Sequence, residues 1–109
     1  MDSLNSVSLV GWLELDLTTR WHGESGQCTI FTMRLEEQGT GKVHCVYVPV
    51  VCYGKSAERA AECAAGDLID VQDKLVYRRG PDRDGAQTGR LMVLVSRVVC
   101  VLPAPVAVP

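Results

Sequence analysis

The stretch Tyr47-Val-Pro-Val-Val-Cys-Tyr-Gly-Lys-Ser-Ala-Glu-Arg-Ala-Ala-Glu-Cys-Ala-Ala-Gly-Asp67 changes character halfway along its length. Up to Tyr53 it is rich in β-branched and aromatic residues, which predicts a strand. From Ser56 onward Ala57, Ala60, Ala61 and Ala64 recur at helical spacing, with Glu58, Arg59 and Glu62 filling the other positions. That pattern predicts one short helix to about Ala65, with Gly66 as its C-terminal cap and Asp67 launching the next strand. Small residues on the apolar stripe let such a helix sit close, plugging one end of a core made by other elements.

On the N-terminal side, Val7, Leu9, Gly11, Leu13, Leu15 and Leu17 share one parity against Ser6, Ser8, Trp12, Glu14 and Asp16, the period-2 signature of a half-buried first strand from Asn5 to Leu17. Gly11, with no side chain to pack, marks a bulge or sharp bend in it. Thr18 to Gly26 is polar and reads as a connection. Cys28 to Leu35 alternates again, and Thr29, Phe31, Met33 and Leu35 form its expected core face. Glu36 to Lys42, with Gly39-Thr40-Gly41, is a hairpin loop leading to a third strand from Val43 to Tyr53. Pro49 cannot donate to a ladder, so it belongs at an edge or beside a bulge.

On the C-terminal side, Leu68 to Tyr77 alternates as a fourth strand and Leu91 to Leu102 is a continuous apolar fifth. Between them Gly80 to Gly89 reads as a long hairpin loop. Residues 1–102 thus form one domain, and Pro103 to Pro109 an extended Pro-punctuated tail. A chain of 109 residues has room for one modest core.

Hydrophobic residues make up 47% of the chain and charged residues 22%, ordinary values for a folded globular protein. The formal net charge of -2 gives no global positive field, so a polyanionic partner would need a local patch drawn from the 11 Lys and Arg residues. Cys28, Cys45, Cys52, Cys63 and Cys100 contain no Cys-x-x-Cys pair, and no hydrophobic signal segment opens the chain. The expectation is a cytoplasmic protein with reduced thiols, mostly buried as small hydrophobes. His44 and Cys45 are adjacent and face opposite ways on a strand, so no metal site is expected. No apolar run is long enough for a membrane span. Neither a nucleophile elbow nor a Gly-rich phosphate loop is present, and the two His residues lie in unrelated segments, so neither an enzyme nor a cofactor is implied.

The element order is β-β-β-α-β-β, the arrangement of an all-β five-stranded OB-fold Greek-key barrel with one short helix between strands 3 and 4. Such barrels bind oligonucleotides or oligosaccharides on the face of strands 2 and 3. Periodicity alone leaves another small antiparallel barrel open. The residues Asn5-Ser6-Val7-Ser8-Leu9-Val10-Gly11-x-Leu13 followed by Arg20-Trp21, then Tyr47 to Ala60, then Gly66-Asp67-Leu68-Ile69-x-Val71, stand in one order and spacing. Together they resemble the bacterial single-stranded DNA-binding protein family, over roughly residues 5–102.

The resemblance implies binding of single-stranded DNA without sequence preference, in replication, recombination or repair. Bases would stack on aromatic faces and cations would follow the phosphates. Each stacked base is worth about 1–3 kcal/mol, a range measured on proteins of this same class. Tyr47 falls where the family commonly has a stacking Trp and Tyr53 where it has Phe or Trp. Lys55 falls on its Gly-Lys, and Arg78 and Arg79 on basic positions after its fourth strand. Lys74 and Arg90 join them as phosphate candidates, and Trp12, Trp21 and Tyr77 as secondary platforms. Two of the family's aromatic positions are occupied here by Gly80 and by the stretch around Leu35 to Gln38. The family's acidic tail ending in Ile-Pro-Phe has no counterpart, which points to a shortened paralogue, a mobile-element version or a primosomal relative.

Parity by itself leaves Tyr47 and Tyr53 open between core and surface, Trp12 between a binding role and an oligomer contact, and Trp21 between a lid and a base platform. Arg78, Arg79, Arg83 and Arg90 alternate with Asp82 and Asp84, as a solvated loop would. The resemblance implies a homodimer or homotetramer built through the first strand, possible replication or repair protein partners, and a nucleoid-associated location. The alternative function is a protein-interaction OB domain with weak or no DNA binding.

Overall fold

The computed structural model describes residues 3–14, 18–22, 26–81 and 87–105. The elements are β1 (Val7–Leu13), β2 (Thr18–His22), β3 (Gly26–Gln38), β4 (Val43–Tyr53), α1 (Lys55–Ala61), β5 (Leu68–Pro81) and β6 (Gln87–Leu102). The chain is mostly β with one short helix between β4 and β5, an OB-like layout.

Besides β3, which runs on through Gln38 into the stretch read as a hairpin loop, and the end of α1, three boundaries differ from the sequence reading. The connection expected at Thr18 to Gly26 contains β2, which pairs antiparallel with β3 from Thr18↔Ile30 to His22↔Gly26. Its two threonines and Trp21 have strand preference, which the polar neighbours concealed. The fourth and fifth strands run on through Pro81 and from Gln87, with the ladder continuous from Tyr77↔Leu91 to Pro81↔Gln87. Charged residues do not end a ladder whose side chains stay in water, so Arg78 and Arg79 extend the strand. Thirdly, β1 ends at Leu13, short of Leu17; residues 15–17 lie outside those described.

Pairing runs β1–β5–β6–β4–β3 and returns to β1 through Trp12↔Arg34 and Leu13↔Met33. Gly11 makes the return possible. It pairs with Ile69 on β5, and the next residue, Trp12, faces both Leu68 on β5 and Arg34 on β3. A Cβ at Gly11 would stand 2.6 Å from the Arg34 carbonyl oxygen and 2.7 Å from Leu35 Cδ2, so only glycine lets the strands approach this closely. The link from β4 to β6 is a parallel pairing of Val50↔Val93 and Val51↔Leu94, as short as that of β1 with β3. Pro49 stands just before it, where β4 has only β3 beside it, consistent with its lack of an N–H.

The main core gathers the inward parity of each strand, including Leu13, Phe31, Met33, Val50, Ile69 and Val95. Thr29 and Met33 are buried on the face the alternation assigns to the core, with Leu35 packed against it. Ala57 and Ala60 bring α1 onto this core, and buried Thr29 donates its hydroxyl to the Ala57 carbonyl oxygen at 3.1 Å. The helix stops at Ala61, earlier than expected, leaving Ala61 and Ala64 exposed. Asp67 is the reason. Its Oδ2 accepts the Ala64 N–H at 2.9 Å and its Oδ1 the Ala104 N–H at 2.7 Å, which turns the chain before another helical turn forms. Gly66, expected as a helix cap, instead donates its N–H to the Leu13 carbonyl oxygen at 2.7 Å.

The thiols divide differently from expectation. All five cysteines are free; Cys28 and Cys52 are buried, Cys63 is half-buried, and Cys45 and Cys100 are exposed. Burial, with the nearby Cys28 thiol adding to it, pushes the Cys52 thiol up to about 12, so it stays protonated as a small apolar group.

Candidate nucleic-acid interface

Because β3 and β4 pair without a shift from Cys28↔Tyr53 to Gln38↔Val43, alternate pairs share one face. The outward set is Cys28↔Tyr53, Ile30↔Val51, Thr32↔Pro49 and Arg34↔Tyr47. Tyr47 is 55% exposed and Tyr53 37%. The parity question is therefore resolved toward the surface for both rings, which stand on one face of β4, Tyr47 in mid-strand and Tyr53 as its last residue. Between them Val51 is buried in a second, smaller apolar cluster with Cys28 and Met92, against which Ile30, Val76 and Leu94 pack.

A cross-strand row reaches outward from Tyr47. Arg34 pairs with Tyr47 on one side and with Trp12 on the other, and its guanidinium carbon lies 5.3 Å from the centroid of the Trp12 ring. That distance is a cation–π contact. Trp12 is half-buried beneath it, so the indole is a platform for the guanidinium before it can be one for anything else. Two carboxylates temper the charge of Arg34. Glu36 Oε1 lies 3.4 Å from Arg34 Nη2, and Glu14 Oε2 lies 3.6 Å from Nε, an ion-pair distance at which buried Nε still lacks a hydrogen bond. The alternation puts Arg34 on the outward parity, but the sequence does not mark it as a binding residue. The register with Trp12, a long-range pairing, is what brings it into the row.

Along the hairpin of β5 and β6 the expected cations separate onto two faces. Val76↔Met92 points to the second cluster, so the next pair on that face, Arg78↔Arg90, lies on the outward side, and exposed Lys74 shares it. Two guanidiniums directly opposite one another repel unless an anion lies between them. Tyr77 and Arg79 point the other way, the guanidinium carbon lying 5.7 Å from the centroid of the ring. Tyr77 (58% exposed) pairs with Leu91 (63% exposed), and Leu75 is exposed on the same side. Lys55 is exposed at the start of α1, directly after Gly54, whose φ of 62° and ψ of -129° suit glycine alone. Trp21 lies on β2 opposite Gln27, and its side chain is outside the described residues.

Trp12, Tyr47 and Tyr53 thus share the outer face of β3 and its neighbours, Lys74, Arg78 and Arg90 share the outward parity of the β5–β6 hairpin, Lys55 is exposed at the start of α1, and Tyr77 and Arg79 lie on the other face of the hairpin. Among the described residues no group of His, Cys, Asp and Glu is arranged to hold a metal ion. No helix among them is long and apolar enough to cross a membrane.

No curated protein matches the chain at a significant level. The model of the single-strand binding protein family matches residues 4–101, a span that takes in all but the last residue of the strand system described above. Members of that family are non-enzymatic proteins that bind single-stranded DNA, and oligomerisation is typical of them. With a match over nearly its whole length and an OB-like strand order beneath it, the chain belongs to the single-strand binding protein family.

Proposed function

We propose that this protein binds single-stranded DNA without sequence preference on the outer face of an OB barrel. Bases stack on Tyr47 and Tyr53, and Arg34, Lys55, Lys74, Arg78 and Arg90 follow the phosphates. The observation that carries this reading is the pair of exposed tyrosines on one face of β4, flanked by the Arg34 row. Two aromatics left in water along one strand face suit a ligand that offers a π-face repeatedly along its length. Trp12 supports the site by holding Arg34. Trp21 is a peripheral contact, and Tyr77 and Arg79, on the other face of the hairpin, take no part in this reading.

Titration of oligo-dT against intrinsic Trp and Tyr fluorescence at two salt concentrations tests the proposal. Salt-sensitive quenching is expected. Replacing Tyr47 and Tyr53 together by Ala removes two stacked bases, about 2–6 kcal/mol in all, and weakens binding at least about 30-fold, since 1.4 kcal/mol is a factor of ten. Absence of quenching in the wild type at low salt would sink the reading.

The second reading is a protein-interaction domain, favoured by the exposed Leu75, Tyr77 and Leu91 on the face of the hairpin turned away from the tyrosines. It predicts loss of partner capture, with oligo-dT binding intact, in Tyr77→Lys. Self-association through β1 also belongs here. Val7 to Gly11 pairs with β5 on one side, and among the described residues its other edge is unpaired, with Val10 exposed. A second copy laid along that edge satisfies it. Replication, recombination or repair in the cytoplasm, on the nucleoid, is the setting such a protein fits.

A further inference from the structure

Past Tyr53 the chain enters the lining of a groove of which the family resemblance assigns Lys55 alone. It lies between α1 and β6, holds about 370 Å³, and is lined by Lys55, Ser56, Arg59, Ser96 and Arg97 with a floor of valine. Three cations and two hydroxyls converge there without a carboxylate in the lining. Ser96 and Arg97 also border an adjoining hollow, where Asp73 lies with Ser6, Ser8 and Gln72. Among the described residues neither Lys55 nor Arg97 has a carboxylate at ion-pair distance, whereas Arg34 has two. Arg59 is oriented by its Nε–H, which donates to the Val98 carbonyl oxygen at 3.3 Å and leaves the rest of the guanidinium for other acceptors.

A bulge builds this groove. Asp73 pairs with Val95 and Gln72 with Arg97, so Ser96 is an extra residue on β6 that bends the strand and re-aims the side chains beyond it. Continuing the parallel register of Val51↔Leu94 sets Ser96 level with Tyr53, the last residue of β4. The groove therefore begins where the aromatic face ends.

We propose that this groove is an exit subsite for single-stranded DNA, in which Lys55, Arg59 and Arg97 hold the phosphodiester that follows the base stacked on Tyr53. The inference rests on the DNA reading and adds to it a direction of travel: the strand leaves over the α1–β6 side. Uncompensated like charges around a hollow repel one another, and a polyanion relieves that repulsion while releasing its counterions.

The test uses dT oligomers of about 4 and about 16 nucleotides, the ends of the range of site sizes for one OB fold. With the long oligomer, Arg97→Gln is expected to flatten the dependence of log K on log salt by about 0.7 while the quenching amplitude stays unchanged. Arg97→Lys, which keeps the charge, retains the wild-type slope. With the short oligomer, which is filled by the two tyrosines, neither variant differs from wild type. An unchanged slope for Arg97→Gln on the long oligomer, in a wild type that does bind, overturns the exit subsite alone. Equal losses on both oligomers also overturn it, since Arg97 would then act through the fold. Failure of the wild type itself to bind overturns the DNA reading, and the subsite with it.

Discussion

At Gly11 the space for a side chain is already taken by the backbone of β3. The obstructing atom is a carbonyl oxygen in a paired strand, so it cannot step aside as a side chain would. Gly11→Ala is expected to lower the stability by about 1–3 kcal/mol, the usual range for forced overpacking, read from urea unfolding midpoints. A variant as stable as wild type would mean the two strands part there more easily than their pairing indicates. Arg34 makes a second case. Glu36 competes with any phosphate for the guanidinium, so Glu36→Gln is expected to tighten oligo-dT binding a few-fold and to steepen its salt dependence by up to about 0.7. Unchanged affinity in that variant would remove Arg34 from the phosphate path. Gly11 was legible as a bend from its place in an alternating strand. Arg34 was not legible as a binding residue, because its importance comes from partners on β1 and β4 that sit far from it in sequence.

At the scale of elements, the turn after α1 depends on one carboxylate. The backbone N–H groups of Ala64 and, secondarily, Ala104 hold the Asp67 carboxyl below its usual pKa. A lowered folded-state pKa means that Asp67 contributes stability fully above its unfolded value of about 4, and that this contribution is lost as the pH falls through the lower folded value. Comparing wild type with Asp67→Asn by urea unfolding, the gap is expected to be largest at neutral pH and to close in acid below about pH 4. A gap of the same size at both ends of that range would show that the charge of Asp67 does not matter. The helix itself was legible from its alanines, because small residues at that spacing suit a close-packed helix and neither a strand nor a loop. Its end was not, since the competing hydrogen bonds come from a side chain three residues on and from Ala104 near the end of β6. The two extended strands were under-read for a related reason. Arg78, Arg79 and Arg90 look like loop residues until the opposite strand gives each a partner.

For the molecule as a whole, the succession of elements apart from β2 could be read from periodicity, their pairing only through the family resemblance, and the return of β1 to β3 only as a hint at Gly11. The faces of Tyr47 and Tyr53 could not be read, because their parity mates include buried Val51 and exposed Cys45 alike. Burial of Val51 comes from a second cluster that only the meeting of β3, β4, β5 and β6 creates. The two-residue pairing of β4 with β6 has a consequence for motion. Where β5 and β6 are laced together from Leu68 to Pro81, this clasp has two rungs, as the return of β1 to β3 does, so these two seams open before that ladder. Amide hydrogen exchange should find the N–H groups that bond across the β4–β6 clasp open well before those of the β5–β6 ladder, and slowed selectively by oligo-dT. Tyr47 and Tyr53 lie on one side of the clasp and Arg90 and Arg97 on the other, so a bound strand would act as a suture across the seam. Tension on the DNA would then be felt by the protein as a pull on one of its own short stitches.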